Sequence, residues 1–109
     1  MIEQIKYKNY RAKVKKMSVK QAKKENAFGL YYPTKSTIFI QNNLNPKNYL
    51  NILFHEIAHF IAHKSKTKLA NKGEEGIAEF IGSEFSKIFL QNPKLINIIK
   101  HCIKKNENN

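Results

Sequence analysis

Between Asn45 and Lys64, apolar residues recur at intervals of three and four: Leu50, Leu53, Phe54, Ile57, Ala58 and Ile61. That spacing lines one face of an α-helix, and the rest of the chain must supply an apolar surface to cover it. The start of the helix is marked as well. Asn45 is a good N-cap, and Pro46 at the first helical position has a preset φ and lacks an amide that would go unpaired there. A helix over about residues 46–64 is predicted. A chain of 109 residues has room for one domain, and this helix is then the principal element of its core.

The surrounding elements follow from shorter signals. Residues Ile2 to Val14 mix Ile, Tyr and Val with Lys, placing Tyr10, Ala12 and Val14 on one side and Arg11, Lys13 and Lys15 on the other. This alternation predicts an amphipathic strand. The runs Ala27–Tyr32 and Thr37–Gln41 flank Pro33-Thr34-Lys35-Ser36, a hairpin signal, and Gly29 marks a bulge or a close approach. After a polar loop from Ser65 to Gly73, a second helix is predicted from Glu74 to Leu90, with Ile77, Phe80, Ile81, Phe85, Ile88 and Phe89 on its apolar face. Asn92-Pro93 repeats the cap-plus-proline signal and opens a third, striped by Leu95, Ile96, Ile99 and Ile103. The order β, β, β, α, α, α implies an α+β fold: a small antiparallel sheet of about three strands packed on about three helices. The domain is expected to occupy residues 1–105, with 106–109 a frayed tail.

Composition narrows the class. The single cysteine, Cys102, excludes an intramolecular disulfide and a Cys-rich zinc module. No apolar run approaches the ~18–20 residues of a membrane span, and the opening MIEQIKYKNYR lacks the apolar core of a signal peptide. A soluble, cytoplasmic protein is expected. Twenty basic residues against eight glutamates give a net charge of +12, with nine of the bases inside residues 1–24. Such a field attracts nucleic acid or another acidic partner. Nineteen of the twenty are Lys, whereas base readout favours Arg, so the charge supports weak, non-specific nucleic-acid binding. The same composition, rich in Asn, Ile and Lys, would also arise from A+T-biased coding alone.

The motif that carries chemistry is His55-Glu56-Ile57-Ala58-His59, within the predicted helix. Residues four apart lie one above the other, so both imidazoles reach one ion from a single turn. Zinc accepts imidazole nitrogen at about 2.0–2.1 Å in tetrahedral geometry. Glu56 leaves the helix about 100° from His55, which sets it beside a water rather than on the metal, in the position of a general base. A catalytic zinc takes a third protein ligand. Glu75 and Glu79 lie four apart on the second helix, with Gly82 and Ser86 continuing their face. Glu75 is assigned as the ligand. Glu79 is assigned as the carboxylate that accepts from the far nitrogen of a ligating imidazole. The reverse assignment and a merely solvated helix face remain open. His63 continues the histidine row, but three ligands on one straight helix span about 12 Å, more than one ion bridges. His63 therefore supports the site, faces the substrate, or serves as a cation near the helix C-terminus; a plain surface role fits equally. His101 reads as a surface residue and Cys102 as core filler.

The run HEIAHFIAHKSK, followed by Glu75-Gly76-Ile77-Ala78-Glu79-Phe80, resembles the zincin-like metallopeptidases of gluzincin type. It is similar to the zincin domain of ArdC-type antirestriction proteins and, more loosely, to ImmA/IrrE-type peptidases. The whole layout also resembles small HExxH proteins carried on phage genomes. The resemblance covers roughly residues 26–100, and about 25 of these are specific. It implies a minimal zincin-like fold, a zinc ion, Glu75 as the metal-binding glutamate and, if phage-borne, action in the host cytoplasm. No single-strand-DNA-binding domain of the ArdC kind and no helix-turn-helix is visible, so the antirestriction and repressor-cleaving roles do not carry over.

Two functions compete. In the first, a zinc metallopeptidase cleaves a protein or peptide with Glu56 as base, the Thr37–Gln41 strand as a docking edge, and oxyanion help from Tyr31, Tyr32 or His63. In the second, zinc only stabilises a basic module that binds nucleic acid or a host protein. A core helix that reads HExxH without any metal is the third, plainest expectation.

Overall fold

The computed structural model describes residues 2–107. The stretch expected to be one strand is two. Strand β1 (Gln4–Tyr7) and strand β2 (Tyr10–Met17) form an antiparallel hairpin that pairs Ile5 with Ala12 and Tyr7 with Tyr10. The turn between them is Lys8-Asn9, and Lys8 carries the positive φ, 54°. Lysine is a poor residue for that backbone, and the usual Asn or Gly signature falls one position late. The conformation is held from outside: the Lys8 amide donates to Gln91 Oε1 at 2.7 Å, and Gln91 Nε2 donates to the Lys8 carbonyl at 3.2 Å.

A short helix, α1 (Val19–Glu25), follows β2, where only strands are expected. Ser18 caps it, accepting from the Gln21 amide at 3.0 Å, and Asn26 ends it in the left-handed region. Seven residues with only Ala22 buried present too short an apolar stripe to register as a helix in the sequence. Its consequence is topological. The chain is carried across before entering β3 (Gly29–Tyr32) and β4 (Thr37–Gln41), and β4 then lies parallel to β2. The sheet is therefore four-stranded and mixed, in the order β1-β2-β4-β3, instead of three-stranded and antiparallel. The β3–β4 hairpin has the expected four-residue connection, a single 3₁₀ turn at Pro33–Lys35 followed by Ser36 in the left-handed region.

The long helices form where their signals place them, but Ile81, Ile96 and Ile103, expected on buried faces, are about half exposed. Helix α2 (Pro46–Ser65) is capped by Asn45, whose side chain accepts from the Asn48 amide at 2.8 Å. Leu53, Ile57, Phe60 and Ile61 are fully buried along its stripe against Ile5, Tyr7, Ile38 and Ile40 of the sheet. Helix α3 (Glu74–Gln91) reaches β1, and helix α4 (Lys94–Glu107) packs on α2 through the layer that includes Leu95, Ile98 and Cys102. Cys102 is buried core filler and His101 is exposed, as expected. Helix α4 continues through Asn106 and Glu107, where a frayed tail is expected; Asn108 and Asn109 lie outside the described residues. No helix among the described residues is long and apolar enough to cross a membrane.

Asn92 behaves differently from its sequence signal. Its side chain turns to the outer edge of β1, accepting from the Lys6 amide and donating to the Lys6 carbonyl, both at 2.8 Å. It also donates to the Ile88 carbonyl at 2.7 Å. The buried amide thus satisfies an open strand edge, a liability that proteins generally cover.

Tyr7, fully buried, donates its hydroxyl to Glu84 on α3, tying the sheet to that helix. Glu84 also accepts from Lys87 Nζ at 2.9 Å and from Ser83 Oγ at 2.9 Å. The Tyr7 hydroxyl, with Lys87 and Ser83, holds the Glu84 carboxyl at about 2, below its ordinary 4.5. A depressed carboxyl stabilises the fold above its unfolded pKa and loses that contribution as pH falls toward the folded value. Glu84→Gln is expected to cost about 2–3 kcal/mol at pH 7. In denaturant titrations across pH, the gap to the parent chain should close by more than half by about pH 3.

Candidate metal centre

One turn of α2 brings His55 and His59 together. Their Nε2 atoms face each other at 3.2 Å, with the rings tilted 69° and 4.8 Å between centroids. Two donors at 2.0–2.1 Å on a tetrahedral ion stand about 3.3 Å apart, so the pair already has the spacing of two ligands. Both rings are exposed: the His55 side chain keeps 60% of its surface, which leaves the pair open to an incoming molecule.

Glu56 lies on the other side of the helix turn and is buried, with 5% of its surface exposed. One carboxylate oxygen sits 4.0 Å from His55 Nε2. Burial pushes its carboxyl above the ordinary range, while the nearby His55 and His59 pull it down.

What buries Glu56 is strand β3. Gly29 lies against α2 so closely that a methyl group there would overlap Ile52 Cγ2 and stand 3.2 Å from Glu56 Cγ. The close approach expected at Gly29 is thus real, and it is helix side chains that approach. Strand β3 is an outer strand of the sheet. The expected docking edge, Thr37–Gln41, is not available: β4 is paired on one side to β2 and on the other to β3. An edge strand must lie at the end of the order, and beside the motif that strand is Gly29–Tyr32.

Two residues further along β3, Tyr31 points to the same side as Gly29. Its hydroxyl is hydrogen-bonded to His63 Nδ1 at 2.9 Å, and its ring packs on Phe60 at 5.7 Å. Burial raises the phenol's pKa. His63 is therefore placed one turn beyond His59 with Tyr31 as its partner. Tyr32 lies on the opposite face of the sheet, against Phe39 at 5.6 Å, away from Glu56 and the histidines. Of the three oxyanion candidates, Tyr31 and His63 are brought together and Tyr32 is not.

The acids of α3 lie apart from this group. Glu75 and Glu79 are exposed, as are Gly82 and Ser86, and a methyl group on Gly82 would meet nothing. The face expected to approach α2 is turned to solvent. Phe85 and Phe89 make that contact instead, with ring centroids 6.2 and 6.0 Å from Phe54. Large rings bury more apolar area than a glycine–serine stripe and so decide which face turns inward. Among the described residues, no three His, Cys, Asp or Glu side chains are grouped to hold a metal ion. Two imidazoles with the required spacing and an adjacent carboxylate fit a metal site; the third donor is not gathered with them.

Residues 10–82 match the model of the IrrE N-terminal-like domain, a peptidase family. The match runs from β2 into α3 and takes in the HEIAH turn, the β3–β4 hairpin, Glu75 and Glu79. The chain belongs to this family of metallopeptidase-like domains, and the resemblance to ImmA/IrrE-type proteins is the one this match supports. Neither a curated protein nor a solved structure matches the chain.

Two glycines test the packing around the site. Gly29→Ala is expected to cost about 1–3 kcal/mol, because the methyl group must displace a β-branched side chain. Gly82→Ala, inside α3 with open space around it, is expected to add about 0.5–1 kcal/mol. Chemical denaturation of both variants checks the pair.

Proposed function

We infer that the domain is a zinc-dependent metallopeptidase that cleaves a protein or peptide substrate. The observation that carries this is the HEIAH turn itself: two Nε2 atoms at ligand spacing, with a buried carboxylate 4.0 Å from one of them. Membership of a peptidase family supports the same reading.

His55 and His59 would hold the ion, with Glu75 as the third ligand. Glu79 would accept from the outer nitrogen of an imidazole or, in the alternative assignment, replace Glu75. Bound zinc supplies a Lewis acid that polarises a carbonyl and lowers the pKa of water toward ~7. Glu56 takes the proton of the attacking water and passes it to the departing amine. Its burial suits this, since a carboxylate with little solvation holds a proton more readily than an exposed one. An extended peptide adds to the free edge of β3 through backbone hydrogen bonds, which sets its scissile carbonyl alongside Glu56. The Tyr31 hydroxyl, oriented by His63, donates to the developing oxyanion.

The chain is expected to bind one zinc. Glu56→Gln should keep the metal and lose hydrolysis by about 10²–10⁴-fold. His55→Ala and His59→Ala should lose the metal, and whichever of Glu75→Gln and Glu79→Gln lowers zinc content more identifies the third ligand. Chelation should lower the melting temperature, since a ligand held only by the folded state stabilises it. Metal analysis, melting curves and mass spectrometry of a peptide library digested by each variant check these outcomes. Hydrolysis undiminished in Glu56→Gln would overturn the reading.

A further inference from the structure

The face of the sheet opposite α2 has no role in the reading above. Residues paired across strands point to the same side. Lys13 pairs with Thr37, which pairs with Tyr32, and Lys15 pairs with Phe39, which pairs with Leu30. Arg11 stands two residues before Lys13 on the same side. Gly29, Tyr31, Ile38 and Ile40 point the other way, toward α2. The outer face therefore carries a row of cations along β2 beside an aromatic pair on β4 and β3.

Three observations define what such a face would take. Arg11, Lys13 and Lys15 are exposed and in no ion pair among the described residues. The four strands contain five basic residues and no acidic one. Six of the eight glutamates sit on α2, α3 and α4, where they offset the lysines of those helices, so the strands carry positive charge that no acid of their own balances. Tyr32 and Phe39 are packed edge to face at 5.6 Å, and Tyr32 keeps 36% of its surface. The Lys35 ammonium lies over the Tyr32 ring, 5.9 Å from its centroid.

We propose that this outer sheet face binds single-stranded nucleic acid, with Arg11, Lys13, Lys15 and Lys35 on phosphates and Tyr32 and Phe39 stacking a base. Alternate residues of β2 lie about 6.6 Å apart, comparable to successive phosphates of an extended strand. Rings beside cations on a sheet favour a strand whose bases are free to stack, since a duplex hides its base faces. An anionic membrane would use the cations but asks for apolar side chains that insert, and these rings lie against each other within the sheet surface.

Fluorescence anisotropy with a labelled twenty-residue oligo-dT and the full chain tests this. Binding at about 1–100 μM is expected near 0.15 M salt, with log K falling against log salt at a slope of roughly −3. Lys13→Glu with Lys15→Glu should weaken it at least tenfold and flatten the slope. Lys100→Glu with Lys104→Glu on α4 makes the same charge change and should leave affinity within a few-fold. Tyr32→Leu should weaken binding about tenfold with the slope unchanged, and Tyr32→Phe should restore it. Melting curves establish that each variant is folded. Tighter binding to duplex than to the single strand, equal losses from the two charge-reversal pairs, or binding only to phosphatidylserine vesicles would each overturn the proposal.

Discussion

The approach of β3 to α2 is the contact on which the rest of the site depends. It needs a residue without a side chain at Gly29, because Ile52 and Glu56 occupy the space a methyl group would take. Once the strand lies there, the alternation of a β-strand assigns the neighbouring residues. Tyr31 falls over Phe60 and meets His63, and Tyr32 goes to the outer face. Glu56 keeps only 5% of its surface while the two histidines one turn apart stay exposed. One packing decision thus separates a desolvated carboxylate from two accessible imidazoles on a single helix, the difference in environment that acid–base chemistry requires.

The domain is also divided electrically. Its strands carry bases without acids, whereas its three long helices hold most of the glutamates. Glu84 shows how such an acid is accommodated: it anchors Tyr7 of β1 and takes the Lys87 ammonium and Ser83 hydroxyl as further partners. Glu75 and Glu79 have no such anchoring and stand in solvent on the first two turns of α3. The aromatic contact of Phe54 with Phe85 and Phe89 lies well along that helix, so the packing that fixes α3 acts far from its acidic end. A metal held by groups from α2 and the start of α3 would add the tie that packing leaves out there.

The parts legible in the sequence share a feature: the interactions that form them lie within a few residues of one another. Helix α2 and its Asn45 cap, the beginning of α3 at Glu74, the β3–β4 hairpin and the His55–His59 pairing all rest on contacts at i+3, i+4 or across a short turn. Where a distant partner decided the outcome, the local signal misled. Lys8 accepts a left-handed backbone because Gln91 grips both its amide and its carbonyl. Asn92 looked like a helix cap and is claimed by the edge of β1, 86 residues away in sequence. Parallel pairing of β2 and β4 followed from a seven-residue helix too short to show a stripe.

The amino-acid order alone determined that an amphipathic helix would display two histidines and a glutamate at the spacing of a metal-binding turn, because a helix repeats every 3.6 residues whatever surrounds it. Only the tertiary structure decided which strand is the free edge, which tyrosine meets His63, and which face of α3 turns inward. Those choices are made by competition for buried area between groups far apart in the chain, with Phe85 and Phe89 prevailing over the Glu75–Glu79 face. No local pattern encodes the result of that competition.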